Sequence, residues 1–276
     1  MAKIFSQAQM DEIYAYFKDK MNSLQCIRMV ELKPFDECTP KDIADIAQAY
    51  YDGIYNLNDI QTVWNIGDEK MITLSAMGAN YGLSDTHVQQ NVVFRLIGIG
   101  HDTLATPING IEKAIITLEM KDCLEKTGVM SPTSTWSGWK DLPRRSWCND
   151  TFKNALPSDL QDAIKTVEKI SIKSSTKNEF DTTNDDCFIL SAFERGMYDW
   201  QSKQTGAIYD YYLPQTGGGA EPKRIKQVND SNSGYWVRDK VSNAQNNAYH
   251  EFVRSDGAMD NDLVYSSKGL TVAFCI

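Results

Sequence analysis

Three histidines, six cysteines and two short runs of carboxylates hold most of the side chains in this 276-residue chain that could bind a metal or attack a substrate. His87, His101 and His250 lie far apart, and no two stand at the four-residue spacing of a helical zinc pair. Cys26, Cys38, Cys123, Cys148, Cys187 and Cys275 include no Cys-x-x-Cys pair. Their scatter fits free buried thiols in a reducing compartment better than a disulfide framework. There is no Gly-x-Ser-x-Gly elbow, and no spacing joins Cys148 to a histidine as a nucleophile–base pair. Gly98-Ile99-Gly100 follows an apolar run as a dinucleotide turn would, but Thr103 stands where the third glycine belongs, so a β-turn explains it better. Asp185-Asp186 and Asp260-Asn261-Asp262 offer the oxygen ligands calcium takes, without EF-hand spacing, and read as solvated loop charge. The residues therefore predict no catalytic group, no metal and no cofactor.

Two regions have the chemistry of recognition. Trp136-Ser137-Gly138-Trp139 and Trp147 would make a platform if exposed and pin loops to a core if buried. Burial is the expectation, because a domain with little regular structure needs such pins. Residues 241–262 carry small amides and aromatics of the kind adaptable binding surfaces use, although an ordinary solvated loop has the same composition. Trp236, Arg238, Asn246, Asn247, Tyr249 and His250 are the ligand-binding candidates. Lys plus Arg is 28 against 37 for Asp plus Glu, and this net charge of −9 argues against a phosphate-tracking nucleic-acid face. No stretch approaches the 18 apolar residues of a membrane span, and the N-terminus has no apolar signal core.

The elements that must position these groups divide in two. Ser6 and Gln9 form a capping-box pattern ahead of a helix over 6–24. Met10, Tyr14, Phe17, Met21 and Leu24 repeat at 4-3-4-3, an oligomerisation seam or a face lying on the chain's own domain. Thr39, Pro40 and Asp42 open a second helix over 40–52 that Gly53 stops. Strands are predicted near 71–74, 91–97, 114–119, 187–190, 235–238, 249–254 and 270–275, and helices over 144–155 and 158–170. Residues 171–186 and 213–234 read as long polar loops. An apolar run that stops at Ile276 predicts a buried terminal strand. The division expected is a helical attachment segment, 1–60, and one α+β domain, 61–276.

Taken in order, Trp64-Asn65-Ile66-Gly67-Asp68, Arg144-Arg145-Ser146-Trp147-Cys148-Asn149, Phe188-Ile189-Leu190-Ser191-Ala192-Phe193-Glu194, Tyr235-Trp236-Val237-Arg238 and the closing Gly269–Ile276 resemble a domain family of tailed bacteriophages and prophages of gut Firmicutes. The resemblance spans roughly 43–276. It departs at Trp236-Val237-Arg238-Asp239, where many members carry Trp-x-Arg-Ser-Pro. It implies a C-type-lectin-like or formylglycine-enzyme-like fold, with a small twisted antiparallel sheet, two helices and long loops. It also implies virion association and no catalytic residues to carry over. The function expected is a non-enzymatic virion structural protein, a tail- or head-fibre appendage for host attachment. The alternative is a capsid or tail decoration protein that binds only other virion proteins. Expected partners are those proteins, a host-surface glycan or protein, and further copies of the chain, as a trimer. The chain would be made in the host cytoplasm and located in the virion.

Overall fold

The computed structural model describes residues 10–18, 30–134, 138–173, 179–197, 205–213, 217–241 and 248–276. The chain separates into two units, Met1–Glu31 and Leu32–Ile276.

The larger unit is α+β and mostly antiparallel. Its central sheet has the order β1 (Glu69–Leu74), β2 (Gln90–Ile99), β5 (Ile116–Met120), β14 (Ala273–Cys275), β8 (Cys187–Phe188). All five residues of β5 are buried, as an interior strand covered on both faces requires. On β2, Val92, Phe94 and Leu96 face the core while Arg95 alternates outward and pairs across the ladder with Glu69 at 2.6 Å. Ile276 is fully buried and exchanges backbone hydrogen bonds with Ile115 and Ile116. The expected terminal strand is therefore present, inside the sheet between β5 and β8.

A second sheet runs β4 (Ile111–Lys113), β3 (Thr103–Ile108), β6 (Val167–Ile172), β7 (Phe180–Asp185). A third runs β11 (Tyr235–Lys240), β12 (Tyr249–Val253), β13 (Met259–Leu263). A hairpin joins β9 (Lys226–Val228) to β10 (Ser231–Ser233). Its two turn residues, Asn229 and Asp230, have φ of 49° and 62°, the left-handed pair that a two-residue hairpin needs. The two stretches read as structureless loops thus hold β7 and the β9–β10 hairpin.

Helices are short. Residues 143–155 are helical as expected, but in three pieces: α4 (Pro143–Trp147), a π turn (Cys148–Phe152) and a 3-10 turn (Lys153–Ala155). The helix expected over 158–170 ends early, as α5 (Ser158–Ala163). From Val167 to Ser171 burial alternates residue by residue, so the helix gives way to a strand inside the expected span.

The expected domain boundary at 60/61 moves to 31/32. Thr39 and Asp42 form the predicted capping box of α2 (Pro40–Tyr51), but α2 packs on α5 inside the larger unit. The Trp64 indole donates to the Lys33 carbonyl at 2.9 Å, and the Ile115 amide donates to the Tyr51 hydroxyl. A short α3 (Leu57–Ile60), capped by Asn56, follows. In the smaller unit the helix α1 (10–18) exposes Met10, Tyr14 and Phe17. Met21, Leu24 and the Ser6 cap lie outside the described residues. Among the described residues no helix is long and apolar enough to cross a membrane.

Candidate functional site

Lys169 lies mid-way along β6 on its buried face, where the strand's alternation puts it with Val167 and Ser171. An ammonium there needs acceptors, and three surround it. Asp102, from the β2–β3 turn, makes a short ion pair. Glu194 Oε1 is 3.2 Å away, and the Tyr209 hydroxyl accepts at 2.9 Å. The amine also sits 3.8 Å over the Phe188 ring. Arg238 Nη1 donates to Glu194 Oε2 at 2.8 Å and to the Ile189 carbonyl. Its Nη2 donates to the carbonyls of Ile170 and Thr205. The Ser191 amide completes Glu194, and Thr117, Cys275 and Tyr209 complete Asp102.

This network opens on a cleft of about 230 Å³ lined by His101, Thr103, Lys113, Glu168 and Gly206 as well as the three buried charges. His101 stacks on Tyr209 with ring centroids 4.0 Å apart. Its Nδ1 is 3.6 Å from Asp102, too far for a hydrogen bond, and Nε2 has no hydrogen-bond partner among the described residues.

The electrostatics fix what the cleft can do. Burial opposes the charge on Asp102, but Lys169 and His101 outweigh it and hold the carboxyl well below the usual range. Burial likewise opposes Glu194, and Arg238 and Lys169 overcome it. Burial works against the Lys169 ammonium, yet Asp102 and Glu194 keep it charged above its ordinary range. Burial, then Asp102 and Glu194, keep Tyr209 a neutral phenol. Asp102 and Glu194 each have a cation, so neither is poised to abstract or deliver a proton near neutral pH. The thiols are equally quiet. Burial pushes Cys123 and Cys148 up to about 12, and Cys187 and Cys275 well above the thiol range.

A second buried network repeats this pattern. Glu119 receives Arg195 at 2.6 Å, Tyr212 at 2.7 Å and Lys226 at 3.3 Å. Despite burial, Arg195 and Lys226 hold its carboxyl down at about 2.

The sequence motifs prove to be parts of these interior ties. Arg144 grips Asp85 with both terminal nitrogens, at 2.9 and 2.7 Å, and donates to the Val129 carbonyl. Arg145, Asn149, Trp139 and Thr183 all donate to Asp185. Asp186 takes Lys153 and Thr166. The Asp185-Asp186 pair is therefore neither loop charge nor a free cation cradle. Asp260-Asn261-Asp262 lies on β13, and Asp262 holds Lys268. Among the described residues no group of three His, Cys, Asp or Glu is placed to hold a metal.

Three of the four expected ligand residues that the structure describes have no surface to offer. Trp236, Arg238 and His250 are each 0% exposed. The cause is β11, buried along all six residues. It pairs with β12 on one side, while Arg238 and the Trp236 amide hydrogen-bond to Leu190 and Gly269. The Trp236 indole donates inward to the Gly128 carbonyl. Tyr249 is half-buried on β12, and Asn246 and Asn247 lie outside the described residues. Trp139 and Trp147 are buried, as expected of pins, and Trp136 lies outside the described residues. Five cysteines, Cys38, Cys123, Cys148, Cys187 and Cys275, are unbridged as expected; Cys26 lies outside the described residues. Sequence reasoning missed Asp102 and Lys169. The one signal for Lys169 was its place in Val-Glu-Lys-Ile-Ser-Ile, where strand alternation sets it beside two inward residues.

Residues 116–276, more than half of the chain, match the model of a family described as a domain of unknown function (DUF6273). The chain belongs to the DUF6273 family. No curated protein and no solved structure matches it. The DUF6273 match begins at the first residue of β5 and takes in Lys169, Glu194, Tyr209 and Arg238 but not His101 or Asp102. The charged cleft is thus completed by residues that precede the DUF6273 region.

His250 sets an expected pH response. Burial, with Lys240 nearby, pulls its imidazole down to about 3 although a backbone hydrogen bond with Val237 favours the proton. The unfolded chain takes up that proton near pH 6.5 and the folded chain does not. The stability contributed by neutral His250 is therefore complete above pH 6.5 and is lost as pH falls toward 3. Between pH 6.5 and 5 the loss is about 2 kcal/mol, or roughly 4–8 °C in melting temperature. Thermal melts across that range check it: His250→Gln has a flatter slope than the wild type, and parallel slopes would refute the assignment.

Proposed function

We propose that the chain is a non-enzymatic structural protein of a bacteriophage virion. The unit Leu32–Ile276 is a lectin-like recognition domain, and the preceding residues form an attachment or oligomerisation segment. The observation that supports the non-enzymatic reading is the mutual pairing of the buried charges at the floor of the cleft. Asp102, Glu194, Lys169 and Tyr209 are bound to one another and each is held in one protonation state, which makes a frame of these four. Small antiparallel sheets, short helices and a terminal strand set in the central sheet support the lectin-like reading. A frame this cross-tied suits a domain that recognises a host-surface glycan or protein.

One observation favours the decoration alternative. Met10, Tyr14 and Phe17 form an exposed apolar row on α1, suited to a second copy or to another virion protein. Both readings predict the chain in particles. Particles induced from the encoding strain and banded on a density gradient should contain it in constant ratio to the capsid protein by mass spectrometry. Recovery only in the soluble fraction would reject both. Binding of the purified chain to host cells separates attachment from decoration.

A further inference from the structure

A pocket remote from the charged cleft has a composition opposite to that of the chain. The chain carries a net charge of −9, yet this pocket, of about 250 Å³, is lined by Arg254, Lys268 and four hydroxyl residues, with no carboxylate in its lining among the described residues. We propose that it binds a phosphate-type oxyanion, a phosphomonoester or phosphodiester group presented on a larger polar molecule. As the identity of the host-surface partner this rests on the recognition reading above; as an oxyanion site it stands on the pocket alone.

The fold fixes the donors. Gly128 and Lys268 exchange backbone hydrogen bonds at 2.8 and 3.0 Å, which clamps residues 127–128 against 267–268. The Ser267 hydroxyl consequently donates to Thr127 Oγ1 at 2.7 Å, leaving the Thr127 proton to point elsewhere. Arg254 and Ser255 follow directly from the end of β12. Phe252, on that strand, forms an apolar wall beside Gly234, where a Cβ would stand 3.1 Å from the ring. Glycine at 234 keeps the wall in place and the mouth open.

Lys268 is the anchor. Its ammonium lies 4.1 Å over the Phe252 ring and 5.6 Å over Trp236, which aims the charge without neutralising it. Its side chain is only 16% exposed, so solvent screens it less than a surface lysine. Asp262 and Asp256 pair with Lys268 and Arg254 at 2.7 and 2.8 Å from outside the lining. Both carboxylates are a third or more exposed, and a phosphate group binds here by competing with them for the two cations. Guanidinium, ammonium and hydroxyl donors around one opening are the set that recognises phosphate oxygens.

The test uses the full chain in calorimetric titration with inorganic phosphate, a glycerol-phosphate oligomer and phosphatidylglycerol vesicles, each against chloride at equal ionic strength. Phosphate should bind, the oligomer should bind more tightly, and Arg254→Gln or Lys268→Met should weaken both by about tenfold or more. Arg254 is half-exposed, so Arg254→Gln keeps the melting temperature and separates binding from folding. No heat beyond the chloride control, or equal affinity in Arg254→Gln, overturns the site. Binding to vesicles but not to the oligomer overturns a polar carrier. If the double variant loses phosphate yet binds host cells like the wild type, phosphate is not the surface partner and the recognition reading stands without it.

Discussion

Asp102→Ala is expected to lower stability by about 3–5 kcal/mol, the usual cost of leaving one half of a buried ion pair alone. The variant would keep Lys169, 2% exposed, with Glu194 as its one remaining carboxylate. It would also remove the acceptor used by Thr117, Tyr209 and Cys275. These partners come from β5, β6, β14 and the 209 segment, so the loss loosens the contact between two sheets. At about 2–4 °C per kcal/mol for a unit of this size, the melting temperature should fall by roughly 10 °C. Adding Lys169→Met removes the stranded charge, so the double variant should be less destabilised than the sum of the two single changes. Thermal and urea melts of the four proteins measure the cycle. An Asp102→Ala protein within about 1 kcal/mol of the wild type would show that the cleft network is not the frame described here.

The second large effect concerns where the folding unit begins. A chain starting at Leu32 should melt like the full chain. One starting at Gln61 loses α2, whose Ile43, Ile46, Tyr50 and Tyr51 are buried. At about 1.5–3 kcal/mol for each fully buried large apolar side chain, that loss consumes most of a typical margin of about 5–15 kcal/mol. One starting at Ile116, the extent of the family match, loses β1 and β2 from the central sheet together with Asp102. No cooperative transition is expected from either shorter chain by circular dichroism, and a sharp melt of 116–276 would show that the family region folds alone. Light scattering on the same samples tests the seam. A trimer for the full chain and a monomer from Leu32 onward would assign assembly to the first unit, whereas equal masses would remove the seam from the account.

Much of the strand framework was legible in local pattern. Met71–Leu74, the 91–97 run, 114–119, Tyr235–Arg238 and 249–254 alternate or run apolar, and each became a strand. The Thr39-Pro40-Asp42 start of α2 was legible because capping is a contact between residues three apart. The β9–β10 hairpin was missed because its strands are polar and only the Asn229-Asp230 turn marks it. The early end of α5 was missed because Val167 satisfies both a helical and a strand period.

The candidate site was harder to read. Arg238 and Trp236 were read as ligand contacts, and both are interior. A lone arginine in a strand carries no label saying whether its partner is a ligand or Glu194, 44 residues earlier. The same holds for Arg145 and Asp185, and for Arg144 and Asp85. The Arg254–Lys268 pocket had no linear signature, since Thr127 and Ser267 are 140 residues apart.

The sequence by itself determined the class of molecule: a moderately apolar, acidic α+β chain with a buried terminus. Those properties follow from side-chain periodicity and capping, which act within a few residues. Only the tertiary structure decided which charges are interior. Lys169, Asp102, Glu194 and Arg238 are ordinary surface residues by type, and each tolerates burial only because the others arrive beside it. That compensation falls off steeply with distance and needs oxygen and nitrogen within about 3 Å, so it exists only once the sheets have packed.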